Sequence, residues 1–295
     1  MPRPFRFAVV TSGFAQSQGA WVALARRAEE LGYAALLMPD RPSMGGLAPL
    51  TALAVAAAST TTLRVGSYVF CNDYRHPAML AKEAATLDVL SGGRFELGLG
   101  AGVSLVDYMQ MGLPFEGAGT RISRLEEALH IIKACFTQEV VNFTGKHYTI
   151  ADLKGLPKPI QQPHPPIFIG STGKRLLSIA AQLADGIAPA LRISAQGVDP
   201  TDAPLEEKVG WIQSAAGERF AHLELSQSAY FIALADSPAE VVSQPGLPFS
   251  RQSMSTEQAV SYLIEQRERY GFSYMQVFDG QMENFAPVVA RLAGK

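Results

Sequence analysis

The segment RVGSYVFCNDYRHPAMLAKEAATLDVLSGGRFELGLGAGV, Arg64 to Val103, constrains the fold more than any other stretch of the chain. Arg64–Phe70 is β-branched and apolar, which predicts a buried strand. Pro77 opens a helix at the position where its missing N–H costs nothing. Leu80, Ala84 and Leu87 share one face of that helix, and Ser91-Gly92-Gly93 ends it. Arg94–Gly100 then reads as a second buried strand. A strand, a crossover helix and a second parallel strand form the repeat of α/β folds, whose active sites are built from loops at the strand C-termini.

The same alternation runs along the whole chain. Phe5–Thr11 predicts a strand and Gln18–Leu31 a helix, with Trp21, Leu24, Ala25, Ala28 and Leu31 on one stripe and Gly32 as its stop. Ala34–Met38 is a strand, Ala48–Ser59 a small-residue helix and Thr120–Phe136 another helix. Strands follow at Ile167–Gly170, Gly186–Ala190, within Leu223–Ala235 and at Tyr274–Phe278. Their helices are Gly173–Leu183, Leu205–Ala216, Thr256–Tyr270 and Glu283–Leu292. Eight such units in 295 residues predict one closed α/β domain, a (β/α)8 TIM barrel over 1–295, with a doubly wound open sheet as the alternative. A small strand pair around 140–150 stands outside the repeat. The connector LPKPIQQPHPP predicts polyproline-like chain on the surface.

Composition excludes several classes of function. Net charge is −2, with no basic excess to attract nucleic acid or an anionic membrane. No apolar run reaches the roughly 18 residues of a membrane span. The opening MPRPFRFAVVTSG leads straight into a strand and lacks the apolar stretch of a signal peptide. Cys71 and Cys135 are too few for a disulfide framework. These features predict a cytoplasmic protein acting on a small molecule. His76, His130, His147, His164 and His222 are scattered and no HExxH is present, so no metal is expected. Gly98-Leu99-Gly100-Ala101-Gly102-Val103 misses the third glycine of a dinucleotide fingerprint, and Gly170-Ser171-Thr172-Gly173-Lys174-Arg175 lacks the first glycine and the final Ser or Thr of a P-loop. No lysine falls in a predicted strand, which argues against Schiff-base chemistry. Glycoside hydrolysis by Asp40 and Asp279 needs carboxylates about 5 to 9.5 Å apart, and nothing else near Asp279 resembles a sugar site.

What remains is a site for a flat ring and a phosphate. Gly98, Gly100, Ala101 and Gly102 let a planar group approach the backbone, or simply turn the chain. Gly170-Ser171-Thr172-Gly173 runs into a helix whose free N–H groups attract an anion, with Lys174 adding charge. The alternative there is a plain Ser/Thr cap.

The segments WVALARRAEELGYAALLMPD, LRVGSYVF, RHPAMLAKEAATLDVLSGGRFELGLGAG and PPIFIGSTGKRLLSIAAQLADGI resemble the bacterial luciferase-like superfamily. Within it they are most similar to the coenzyme F420-dependent oxidoreductases. The resemblance is continuous from Phe5 to Ile187. It implies a barrel holding F420, or FMN as the alternative, at its C-terminal mouth. It also implies a third-strand bulge with a non-proline cis peptide behind the ring, matched here by Ser67 and Tyr68. Gly102 and Val103 would then flank the ring, and Gly170, Ser171, Thr172 and Gly173 would hold the cofactor phosphate. Asn72, just after the bulge, either bonds the polar edge of the ring or makes an Asn turn.

Asp40-Arg41 stands where many relatives have Asp-His, and Val103 where relatives that oxidise sugar phosphates carry glutamate. That oxidation is therefore not expected. Asp40 and Asn72 are the candidate catalytic groups. Arg41, always protonated, is a candidate clamp for a substrate carboxylate or phosphate, or an ordinary surface arginine. Tyr68 and Tyr108 are alternative proton donors, though barrel tyrosines usually pack. His76 reads as a capping or packing group, Cys71 as a packing group, and the glycine-rich Arg41–Pro49 as a lid or a plain loop. The expected reaction is hydride transfer between the ring and a small organic substrate. An FMN-dependent monooxygenase, or a barrel that binds the cofactor without catalysis, are the alternatives. Family members are often dimers, and the helix Ala48–Ser59 is a candidate packing face for a homodimer. Leu191–Arg251, which should shape the substrate pocket, is the least recognisable stretch.

Overall fold

Eight strands alternate with helices along the chain in the computed structural model, which describes residues 2–11, 13–194, 197–229, 232–235, 242–243 and 250–295. The strands are β1 (Arg6–Val10), β2 (Ala35–Met38), β3 (Arg64–Ser67), β4 (Phe95–Gly100), β5 (Ile167–Ser171), β6 (Gly186–Pro189), β7 (Glu224–Ser228) and β8 (Phe272–Phe278). The helices are α1 (Gln18–Glu30), α2 (Pro49–Ser59), α3 (Pro77–Leu90), α4 (Leu105–Gln110), α5 (Ala118–Thr137), α6 (Lys174–Leu183), α7 (Leu205–Ala216), α8 (Thr256–Tyr270) and α9 (Met282–Leu292). Hydrogen bonding orders the strands β3-β2-β1-β8-β7-β6-β5-β4, and β3 pairs in parallel with β4, Val65 opposite Phe95 and Gly66 opposite Glu96. The row returns to its first strand, which is the closed (β/α)8 barrel and not the open sheet. Part of the predicted pocket-shaping stretch Leu191–Arg251 lies outside the described residues.

The chain divides into two compact units. One comprises Met1–Val10, Arg27–Leu36 and Ile169–Lys295. Its strands alternate between two faces. Phe7 points to the helices and meets Phe285 of α9 at 6.3 Å, while Arg6 lies on the opposite face, pairs with Glu224 at 2.8 Å and covers the Tyr274 ring. A reciprocal capping box at Ser255 and Gln258 starts α8, and left-handed Gly271 stops it. β8 begins at Phe272, earlier than the predicted Tyr274, because its first residues are also buried and give no alternation to read.

The other unit comprises Thr11–Arg26 and Leu37–Phe168. Here the block around Ser91-Gly92-Gly93-Arg94 fixes the backbone. Gly92 and Gly93 both have positive φ, and the Arg94 guanidinium donates to the carbonyls of Ala57 in the last turn of α2 and of Thr60 and Leu63 beyond it. Ala52, Leu53, Ala56 and Ala57 of α2 are buried within the chain itself, so the small-residue face proposed for a partner is already covered. The predicted strand pair is present as Val141–Thr144 against Thr149–Leu153.

Two predictions need correction. The proline-rich connector lies on the surface, with Leu156 and Ile160 exposed, but it is tied down rather than polyproline-like. It carries cis bonds at Leu156-Pro157 and Gln162-Pro163, and the buried Asp88 carboxylate accepts the N–H groups of Ile160 and Gln161 at 2.7 and 3.0 Å. The third strand does not run unbroken to Phe70. It stops at Ser67, the Tyr68-Val69 peptide is cis, one residue later than predicted, and pairing resumes at Phe70–Cys71 opposite Leu99–Gly100. The short helix α4, capped by the Ser104 hydroxyl, was not predicted.

Candidate active site

The interruption after β3 is held from both sides within its unit. The Tyr68 N–H donates to the Met38 carbonyl at 2.7 Å, and the Ser67 hydroxyl donates to the Gly98 carbonyl at 2.8 Å while accepting the Gly98 N–H at 3.0 Å. This proximity gives β4 its glycines. A Cβ on Gly98 would overlap the Ser67 carbonyl, and one on Gly100 would stand 2.8 Å from Val69 Cγ2. The side of β4 reserved by glycine for close approach is thus filled by the bulge. Gly102 has φ +82°, and a Cβ there would overlap the Tyr108 hydroxyl.

Just past β2, the buried Asp40 carboxylate accepts both Arg75 Nη1 and Nη2, at 2.6 and 3.1 Å, and the Cys71 N–H at 3.1 Å. With three donors on its two oxygens, Asp40 is a brace for the bulge rather than a free base. Arg41 is likewise committed: its Nε donates to Asp107 Oδ2 at 2.5 Å and its Nη2 to the Ser104 hydroxyl at 3.1 Å. Burial alone would raise the Asp107 carboxyl, but hydrogen bonds from Ser43, Arg41 and Ser104 outweigh it and hold the group below the usual range. Arg41 therefore organises the start of α4, with its side chain still 37% exposed.

Asn72 opens a single 3₁₀ turn, Asn72–Tyr74, after the bulge and is buried. Its amide nitrogen donates to the Tyr148 hydroxyl at 3.3 Å and weakly to Asp73 at 3.4 Å. Its Oδ1 is buried with no partner. Asp73 also accepts the Tyr108 hydroxyl at 2.8 Å and pairs with Arg124 at 2.9 Å. Burial pushes the Cys71 thiol up, partly opposed by its contact with Tyr108, and burial likewise raises Tyr108 far above its ordinary value. Both stay protonated, so Cys71 packs as predicted and Tyr108 is spoken for by Asp73. Val103 lies in the open, 83% exposed.

Tyr148, Asp73, Arg124 and Asp107 escaped sequence reasoning. Tyr148 sits on the strand pair that falls outside the repeat. Glu127 of α5 fixes that pair by accepting the N–H groups of Lys146, His147 and Tyr148. A carboxylate near the middle of an amphipathic helix gives no hint of this.

In the other unit, β5 ends at Ser171 and α6 starts at Lys174. The Ser171 hydroxyl accepts the Gly173 N–H at 3.1 Å, a Ser turn ahead of the helix and not a side-chain cap on it. Gly173 supplies no capping side chain, and the first-turn amides of α6 have no intrahelical acceptor. Gly170 and Thr172 are half-exposed beside them, and the Lys174 ammonium lies 5.7 Å from the centre of the Trp211 ring. Among the described residues no three His, Cys, Asp or Glu side chains gather as metal ligands, and no helix is long and apolar enough to cross a membrane.

The sequence model of the luciferase-like monooxygenases matches residues 5–282. The chain belongs to that family. It is 34% identical over 180 residues to an F420-dependent glucose-6-phosphate dehydrogenase of Microbacterium testaceum, covering 59% of this chain and 51% of that protein. The chain thus spans about half the length of the curated relatives it matches. Among solved structures it resembles the coenzyme F420-dependent tetrahydromethanopterin reductase of Methanopyrus kandleri, with TM-score 0.78, 17% identity and 98% of each chain covered. A long-chain alkane monooxygenase aligns with TM-score 0.79 at 13% identity, over 99% of this chain and 92% of that one. At these identities the structural likeness shows the fold.

Proposed function

We propose that this protein is an F420-dependent oxidoreductase that moves a hydride between the deazaflavin and a small organic substrate. The observation that carries this reading is Asn72. A buried amide oxygen without a donor is costly, and a ring N–H at the polar edge of a deazaflavin is the complement it lacks. Tyr148 and Asp73 hold the amide nitrogen and so fix which end of the side chain meets the ring. Ser67, Tyr68, Gly102 and Val103 form the backbone support for the ring. The amides around Gly170, Ser171, Thr172 and Gly173 bind the cofactor phosphate. When bound, F420 supplies a carbon centre that donates or accepts hydride and reacts poorly with oxygen; the protein supplies orientation and exclusion of water.

Names among the relatives support the cofactor, while Arg41 and Val103 separate this chain from oxidation of sugar phosphates. Asp40 contributes by bracing the bulge. The protein acts on a small molecule in the cytoplasm as one barrel domain, and assembles as a homodimer.

FMN is the second reading, since the monooxygenase branch shares the fold. Titrating the protein into F420 and into FMN, following each compound's fluorescence, separates the two. Tight F420 binding, weakened at least tenfold by Asn72→Leu, is the expected result. Preferential FMN binding, with rapid oxygen uptake by the reduced complex, would replace the proposal with the second reading.

A further inference from the structure

The loops that follow β1, β2 and β4 belong to one unit and interlock. Leu47 N–H donates to the Gly13 carbonyl at 3.1 Å, joining the first loop to the second, and Arg41 joins the second to Asp107 of the third. Residues 11–17, 39–48 and 101–117 contain four charged side chains, Asp40, Arg41, Asp107 and Glu116. Each is paired: Asp40 with Arg75, Arg41 with Asp107, and Glu116 with Arg124. The same loops expose large apolar groups, among them Phe14, Val103, Val106 and Met109 at 64, 83, 55 and 70%. Val106 and Met109 lie one turn apart on α4; exposed apolar side chains on interlocked loops mark a binding surface, and these loops follow the strand C-termini, where barrels build their active sites.

We infer that the substrate is a neutral, largely apolar molecule, received by this face through hydrophobic burial, and not a phosphorylated or carboxylated one. The inference rests on the oxidoreductase reading above for the role of the face as a substrate site. A phosphoryl group needs cationic or amide donors; here Arg41, Arg75 and Arg124 each meet a carboxylate, and Arg121 donates to the backbone carbonyls of Ala101, Gly102 and Glu116.

The test uses a homologous series of neutral ketones, 2-butanone to 2-decanone, with glucose 6-phosphate as the charged comparison, all measured by calorimetry on the intact protein. Affinity is expected to rise up to about fourfold per added methylene, with no binding of glucose 6-phosphate. Met109→Glu should flatten that rise while leaving the thermal midpoint and F420 affinity unchanged, and Val106→Lys serves as the second variant if the first does not fold. A flat chain-length response, tighter binding of glucose 6-phosphate than of 2-octanone, or an undiminished rise in both variants would overturn the inference. So would sedimentation showing that Met109→Glu turns a dimer into monomers with ketone affinity intact. A chain-length response in a protein that ignores F420 would sink the oxidoreductase reading and leave the apolar ligand class standing.

Discussion

The Asn72 amide donates to the Tyr148 hydroxyl across 3.3 Å, joining residues 76 positions apart. That bond spends the nitrogen end of a buried side chain on the protein and leaves the oxygen end, which has no partner, for a ligand. Tyr148→Phe removes the acceptor and frees the amide to turn over. F420 affinity is expected to fall about three- to tenfold, the scale of one hydrogen bond, with little change in unfolding midpoint. Fluorescence titration reads the first effect and a thermal melt the second. An unchanged affinity would show that Tyr148 does not orient Asn72.

Asp40→Asn tests brace against base. The substitution keeps the shape but leaves the mostly buried Arg75 without its carboxylate. Breaking such a pair is expected to destabilise the protein by about 2–4 kcal/mol, less than for a fully buried pair because Arg75 keeps some contact with water. Urea unfolding measures this. Full stability with abolished turnover would instead make Asp40 the catalytic base.

Gly98→Ala forces a methyl against the Ser67 carbonyl, which is backbone and cannot rotate away. A loss of about 3 kcal/mol or more is expected. Gly173→Ala is the control, since nothing lies within 4 Å of a Cβ there and its φ is negative. Chemical denaturation of both variants gives the comparison.

The Glu127 clamp predicts a pH dependence. Burial would raise its carboxyl, but the N–H groups of His147, Lys146 and Tyr148 outweigh that and hold it below the ordinary glutamate value. A depressed carboxyl contributes stability above its unfolded value, about 4.3, and that contribution disappears as pH falls through the lower folded value. The strand pair should therefore loosen in acid, below about pH 4. Amide exchange at Lys146–Tyr148 should accelerate there in the native chain, and Glu127→Gln should abolish the pH step.

Much of the architecture was legible because its signals are local. Ser91, Gly92 and Gly93 each answer a backbone demand at their own helix end, where the Ser91 hydroxyl accepts the Arg94 N–H and both glycines hold a positive φ that strains other residues. The full-length helix α8 was readable for the same reason, from its Ser cap to its terminal glycine. The candidate site was legible only in part. Ser67 and Tyr68 could be placed by resemblance and Asn72 by its position after the bulge, but the partners that fix them arrive from distant segments. Arg41 illustrates the limit: an arginine on a glycine-rich loop looks free in sequence, and only the fold brings it to Asp107. The glycines of β4 suggested room for a ligand, yet the neighbour they admit is the chain's own bulge.

That fit between Val69, Ser67 and the glycines of β4 has a consequence for redesign of this barrel. Neither segment tolerates exchange alone, since a foreign β4 with any side chain at position 98 would evict the bulge, and a foreign bulge would leave a furrow along β4. Donor sequences must be swapped as a matched cassette spanning both, whereas the largely exposed Met109 carries no such constraint.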